Sequence, residues 1–260
     1  MLLALNIGNS HICFGGYSAD GKLNFSSRLY ADSALSSDEL LYKMVNMLAL
    51  YGATPHEITH VIFSSVVPAL TGRLREALRK MCEAPIMEIG PGLKSGVRIR
   101  MDNPAQLGGE LLCAAVAALQ RHDPPLVVLH LDTAVTMLAV DGAGSLVGGV
   151  IMPGPQLSLS ALVKNTAQLP QVELDAKPRR LIGTNTPDCL QSGMVYGTAA
   201  MLDGMAGQFR EALGAPDAPV IATGQLPAQV RAACRTPIEY RETLVLDGLY
   251  AIWKRNCKAR

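Results

Sequence analysis

The sequence carries almost no net charge: across its 260 residues, 23 Lys and Arg stand against 22 Asp and Glu, a balance of +1. That leaves no electrostatic footprint for DNA, RNA or an anionic membrane, so no nucleic-acid and no membrane partner is expected. Metal-ligand spacing of cysteine is missing too. Cys13, Cys82, Cys113, Cys189, Cys234 and Cys257 are scattered, and most sit in apolar or helical contexts, so they read as free thiols in a reducing compartment. His11, His56, His60 and His122 show no mutual spacing of a metal site either. No apolar run reaches the length of a membrane span, and Met1 leads into a core-type strand without a basic leader region. A cytoplasmic location follows as the expectation.

What the chain has in quantity is apolar residues, 49% of the total, enough to fill two cores over this length. The first of them form Leu2 to Ile7, a buried strand. Gly8-Asn9-Ser10 is a polar turn, and Ile12 to Phe14 is a second strand before Gly15-Gly16. Such a hairpin reads as a plain turn or as a phosphate cradle whose backbone donors face an anion. Leu23 to Leu29 is a third strand. Ser36 with Glu39 is a capping box ahead of a helix whose apolar face repeats through Leu40, Leu41, Met44 and Leu48. His60 to Ser65 is a strand, Leu70 to Met81 a helix, and Ile86 to Ile89 another strand. Val97 to Met101 alternates as a half-wet strand, and Ala105 to Leu119 reads as one Ala- and Leu-rich helix.

Pro124-Pro125 divides the chain, giving expected halves of 1–123 and 124–260. Beyond it the opening pattern returns: Leu126 to Leu131, the turn Asp132-Thr133-Ala134, Val135 to Val140, then Leu146 to Met152. Laying Asn6 on His130 sets Gly8 on Asp132, which suggests a duplicated domain. Later come helices over Leu157 to Thr166 and Asp188 to Phe209, and a strand, Val220 to Gln225.

Two meanders that each open on a polar turn resemble the actin-like ATPase superfamily, which includes acetate and sugar kinases. The more specific resemblance is to type III pantothenate kinases. It rests on Ile7-Gly8-Asn9-Ser10, Ser64-Ser65-Val66-Val67-Pro68, Gly90-Pro91-Gly92-Leu93-Lys94-Ser95-Gly96, Asp102-Asn103-Pro104, Thr133-Ala134 with Thr136, Gly148-Gly149 with Pro153-Gly154, Thr166-Ala167-Gln168-Leu169-Pro170, and Asn185-Thr186 with Gln191-Ser192-Gly193. The resemblance implies an α/β, duplicated ribonuclease H-like (actin-like ATPase) fold with two mixed five-stranded-type sheets flanked by helices. It implies ATP, Mg²⁺ and a monovalent cation, K⁺ or NH₄⁺, with pantothenate as substrate in a homodimer. By the same resemblance Asn6, Gly8, Asn9, Ser10, His11 and Thr133 hold the nucleotide phosphates. Met101, Gly108, Gly109, Leu111 and Thr186 contact substrate, Glu110 is the catalytic base, and His130 with Asp132 occupies the cation position.

Several of these positions depart from the family pattern. Asn6 stands where an aspartate helps hold Mg²⁺, and loss of one charge about 4 Å from a divalent ion forfeits several kcal/mol at an effective dielectric near 20. Glu110 keeps a carboxylate but adds a methylene, while Leu111 replaces an arginine and brings no donor. Met101 replaces a tyrosine. His130 replaces an aspartate, and imidazole is a poor ligand for a hard alkali cation. Gln225 follows Thr223-Gly224 where the pattern has a second glycine near the nucleotide base, so by the resemblance its long side chain is expected to crowd that pocket. The expected function is ATP-dependent phosphorylation of pantothenate. The alternative is a non-catalytic paralogue acting as a binding or regulatory subunit, and a third reading is a kinase with another acceptor.

Overall fold

A computed structural model describes residues 1–174 and 178–257. The chain divides into two units. The first comprises Met1–Gly96, Asn103–Ala117 and the stretch from Thr243 onward; the second comprises Val97–Asp102 and Ala118–Glu242.

In the first unit, β1 (Leu2–Ile7), β2 (His11–Tyr17), β3 (Leu23–Tyr30), β4 (His60–Ser65) and β5 (Ile86–Glu88) form one mixed sheet in the order β3-β2-β1-β4-β5. β1 is antiparallel to β2 and parallel to β4, which sets Asn6 beside Ser64. Alternation along β1 separates two faces. Leu3, Leu5 and Ile7 join the core built with α1 (Ser37–Leu50) and α2 (Pro68–Met81). Leu2, Ala4 and Asn6 take the opposite face. There α7 (Leu244–Cys257) packs on β1, β2 and β4, and it meets α3 (Gly109–Leu119) at Gly248. A Cβ on Gly248 would collide with the Cys113 backbone, so this crossing requires glycine.

The expected capping box is present: Ser36 Oγ accepts from the Glu39 amide, and the Glu39 carboxylate accepts from the Ser36 amide at 2.8 Å. The single helix expected over Ala105 to Leu119 is not. Asn103 caps a short turn over Pro104–Gln106, and α3 starts afresh at Gly109. The physical reason is local: Asn103 Oδ1 takes the Ala105 amide at 3.2 Å, and Gly108-Gly109 weakens helical continuity. The break places Glu110 in the first turn of α3, where the helix dipole favours its charge.

In the second unit, β6 (Arg98–Ile99), β7 (Leu126–Leu131), β8 (Ala134–Val140), β9 (Ser145–Pro153), β10 (Val220–Gly224) and β11 (Ile238–Tyr240) form a mixed sheet ordered β11-β10-β7-β8-β9-β6. The run β9-β8-β7-β10-β11 repeats the order and strand directions of the first sheet, and the two-residue β6 adds a sixth strand at its edge. Val127, Leu129 and Leu131 pack against Val195, Ala199, Leu202 and Ala206 of α5 (Thr186–Ala212) and Val230 of α6 (Ala228–Ala233). α4 (Pro155–Lys164) follows β9. Among the described residues no helix is long and apolar enough to cross a membrane.

Candidate active site

The polar turns sit where parallel strands end. In the first unit, the Gly8 amide donates to the His11 carbonyl at 2.9 Å, closing Gly8-Asn9-Ser10 between β1 and β2. Gly8 is buried, Asn9 is exposed, and Ser10 and His11 are half-buried. His11 also lies against Tyr30, with ring centroids 5.0 Å apart and the rings tilted by 36°.

Asn6 is 6% exposed, and its Nδ2 donates to Glu110 Oε2 at 3.2 Å. Its Oδ1 and the Oγ of Ser64, itself 1% exposed, are buried without a hydrogen-bond partner. An unmet buried polar atom costs about 1–3 kcal/mol, so two of them beside a carboxylate mark this place as built for something other than stability. Gly109 lets the elements approach: a Cβ there would lie 2.5 Å from Ser64 Oγ and 3.0 Å from Ile89 Cγ2. Gly108 meets nothing closer than Val66 at 3.8 Å. Leu111 is half-buried in the same helical turn and brings no polar atom. The carboxylate of Glu110 and the burial of Cys113 push that thiol well above its ordinary range, burial being the larger cause.

In the second unit the corresponding turn is one residue shorter, Asp132-Thr133, with the Asp132 amide donating to the Ala134 carbonyl at 2.9 Å. β7 ends at Leu131, so strand alternation does not extend from His130 to Asp132. His130 is 8% exposed and lies between Thr136 and Thr223 on the neighbouring strands. Asp132 Oδ1 accepts from Gln225 Nε2 at 2.9 Å. Gly154, the residue before α4, sits against this turn: its amide donates to the Thr133 carbonyl at 3.0 Å, and a Cβ would lie 2.6 Å from the Asp132 carbonyl. Gly224 has φ +88°, and Tyr240 Oη donates to its carbonyl at 2.6 Å. Met101 is half-buried, beyond the end of β6, and Thr186 is exposed at the first position of α5, capped by Asn185.

The structure therefore joins Asn6 to Glu110 and sets Gly109 against Ser64 in the first unit, and ties Asp132 to Gln225 in the second. Met101 and Thr186 belong to the second unit without joining the Asp132 turn by any hydrogen bond described. Ser64 joins the site through its register with Asn6 and the close approach of Gly109. Its signal was a serine pair closing an apolar strand that is to lie parallel to β1.

Donor chemistry decides which ions suit these residues. Asn6 Oδ1 is a hard oxygen donor and an orphaned buried acceptor, and it fits Mg²⁺. His130 offers only imidazole nitrogen, and Asp132 has one oxygen engaged by Gln225, so this pair does not fit K⁺ or NH₄⁺. Among the described residues no group of three or more His, Cys, Asp and Glu could hold a metal.

Two mixed α/β sheets of one strand order, each with a polar turn at the end of its central strand, define the fold class of actin-like ATPases and ROK sugar kinases, whose solved structures superpose over the chain. One of them is the activator of 2-hydroxyisocaproyl-CoA dehydratase from Clostridium difficile with bound ADPNP, with a TM-score of 0.53 at 9% identity, covering 100% of this chain and 97% of that one. Residues 2–208 match the model of the type III pantothenate kinase family. The type III pantothenate kinase of Rubrobacter xylanophilus is 35% identical over 260 residues, covering 98% of both chains. That of Rhodospirillum centenum is 38% identical over 260 residues, covering 98% of this chain and 99% of its own. The chain belongs to the type III pantothenate kinase family.

Proposed function

We propose that the protein transfers the γ-phosphoryl group of ATP to the hydroxyl of pantothenate, a step in coenzyme A biosynthesis in the cytoplasm. The observation that carries this reading is the Asn6–Glu110 hydrogen bond, which keeps a carboxylate in the site despite the changed residues at both positions. Glu110 takes the hydroxyl proton; the hydroxyl oxygen bonds to the γ-phosphorus as the bond from that phosphorus to the ADP oxygen breaks. Asn6 Oδ1 would hold Mg²⁺, which would supply neutralisation of phosphate charge. Gly8, Asn9 and Ser10 in the first turn, His11 at the start of β2, and Thr133 in the second turn contribute to phosphate binding. Gly108, Gly109, Leu111, Met101 and Thr186 contact the acceptor.

Exposed Ile151, Leu157, Leu162, Leu181 and Ile182 support a homodimer formed through the second unit. A second reading, a non-catalytic binding or regulatory subunit, is favoured by Leu111, whose apolar side chain offers no donor to an anionic group. The two readings separate on one experiment. Purified protein incubated with MgATP and pantothenate yields 4'-phosphopantothenate by mass spectrometry if it is a kinase, and unchanged pantothenate if it is a binding subunit.

A further inference from the structure

A side-chain hydrogen bond ties the turn regions of the second sheet across 93 residues: Gln225 Nε2 donates to Asp132 Oδ1 at 2.9 Å. β7 and β10 are parallel neighbours that end at Leu131 and Gly224, so Asp132 and Gln225 are the first residues beyond each strand. The backbone repeats the link, because the Gln225 amide donates to the Leu131 carbonyl. Gly224 allows this: its φ of +88° turns the chain, and a Cβ there would strike the Leu131 carbonyl. Tyr240 Oη fixes the Gly224 carbonyl from the other side at 2.6 Å. Gln225 is thus held in place by β10, β7 and β11, and its side-chain amide is directed onto the Asp132 carboxylate.

We propose that Gln225 is a positioning residue for the polyphosphate of the nucleotide: it holds the Asp132 carboxylate in a fixed, hydrogen-bonded position beside the exposed Thr133 turn. This rests on the phosphotransfer reading above. The physical need is plain, since a carboxylate next to a phosphate-binding turn repels the ligand unless a donor restrains it. A carboxamide does so without adding charge. The short turn itself is already tied, with Gly154 packed against Asp132 and Thr133, so the side chain of Asp132 is the part that Gln225 controls.

The test is isothermal titration of the full-length protein with MgATP, at low and at high salt, on four forms. Gln225→Ala frees the carboxylate and is expected to weaken MgATP binding roughly tenfold at low salt, with most of the loss recovered at high salt, where charge repulsion is screened. Asp132→Asn keeps an oxygen for Gln225 and removes the charge, and it is expected to bind at least as tightly as the unaltered protein. The double variant, Asp132→Asn with Gln225→Ala, is expected to recover most of the lost affinity, which a merely structural tie would not do. A Gln225→Ala affinity within twofold of the unaltered protein overturns the inference alone. So does a loss in Asp132→Asn as large as in Gln225→Ala, which would assign Asp132 to cation binding. No MgATP binding by the unaltered protein overturns the phosphotransfer reading and this inference together.

Discussion

Asn6 and Glu110 lie 104 residues apart and are joined by a 3.2 Å hydrogen bond from the amide to the carboxylate. A carboxamide in this place pairs with Glu110 where a second carboxylate would repel it. Asn6→Asp is therefore expected to lose the hydrogen bond to a charged partner, worth about 1.5–3 kcal/mol, and to melt at a lower temperature without Mg²⁺. Mg²⁺ should restore more stability to the variant than to the unaltered protein. Thermal melts with and without Mg²⁺ check this, and equal Mg²⁺ shifts would remove position 6 from the ion site.

The close approach at Gly109 fixes where Glu110 stands. Gly109→Ala would place a Cβ 2.5 Å from Ser64 Oγ and 3.0 Å from Ile89 Cγ2, so either the Ser64 side chain or α3 must shift. Overpacking of this kind costs about 1–3 kcal/mol. The expected outcome is a lower melting temperature together with a fall in phosphotransfer. Gly108→Ala, whose nearest neighbour is 3.8 Å away, should do much less.

Thiol chemistry is expected to divide by burial. Cys113 is buried and raised well above its ordinary range, chiefly by burial and then by Glu110. Cys234 is pushed up to about 11, by burial and then by Asp203. Cys189 and Cys257 are exposed. Iodoacetamide at mildly alkaline pH should label Cys189 and Cys257 first, Cys234 slowly, and Cys113 only on unfolding; peptide mapping after a time course reads the order.

Acid stability follows from carboxylates that accept backbone donors. Asp141 is lowered first by the Ser145 amide, helped by Ala143 and Arg100, and Glu39 is lowered by the Ser36 amide and then its hydroxyl. A carboxylate with a lowered folded pKa adds stability above its unfolded pKa of about 4 and loses it as pH falls through the folded value. Denaturant midpoints should hold level from neutral pH to about pH 5 and decline below pH 4. Asp141→Asn and Glu39→Gln should flatten that decline.

Features set by local chemistry were legible in the sequence. The Ser36–Glu39 capping box and the two hairpins read correctly because their partners are a few residues away. The correspondence of Asn6 with His130 also survives, each being the penultimate residue of a central strand. What the sequence hid depends on distant partners. Nothing near Asp132 announces Gln225, since only the parallel pairing of β7 and β10 brings them together. Ser64 became a site residue through its register with Asn6 and the approach of Gly109, neither of which has a local pattern. The break before α3 was masked by the helix-forming Ala and Leu of the same stretch.

The central claim is that Glu110 is the base of a working kinase. Its most direct test is the steady-state rate of ADP release from MgATP with pantothenate present, compared between the unaltered protein and Glu110→Gln, with thermal melts confirming that both are folded. The unaltered protein is expected to turn over in a pantothenate-dependent way, and the variant to fall roughly 10²- to 10⁴-fold. Pantothenate-dependent turnover that survives Glu110→Gln, or no such turnover by the unaltered protein, would contradict the claim.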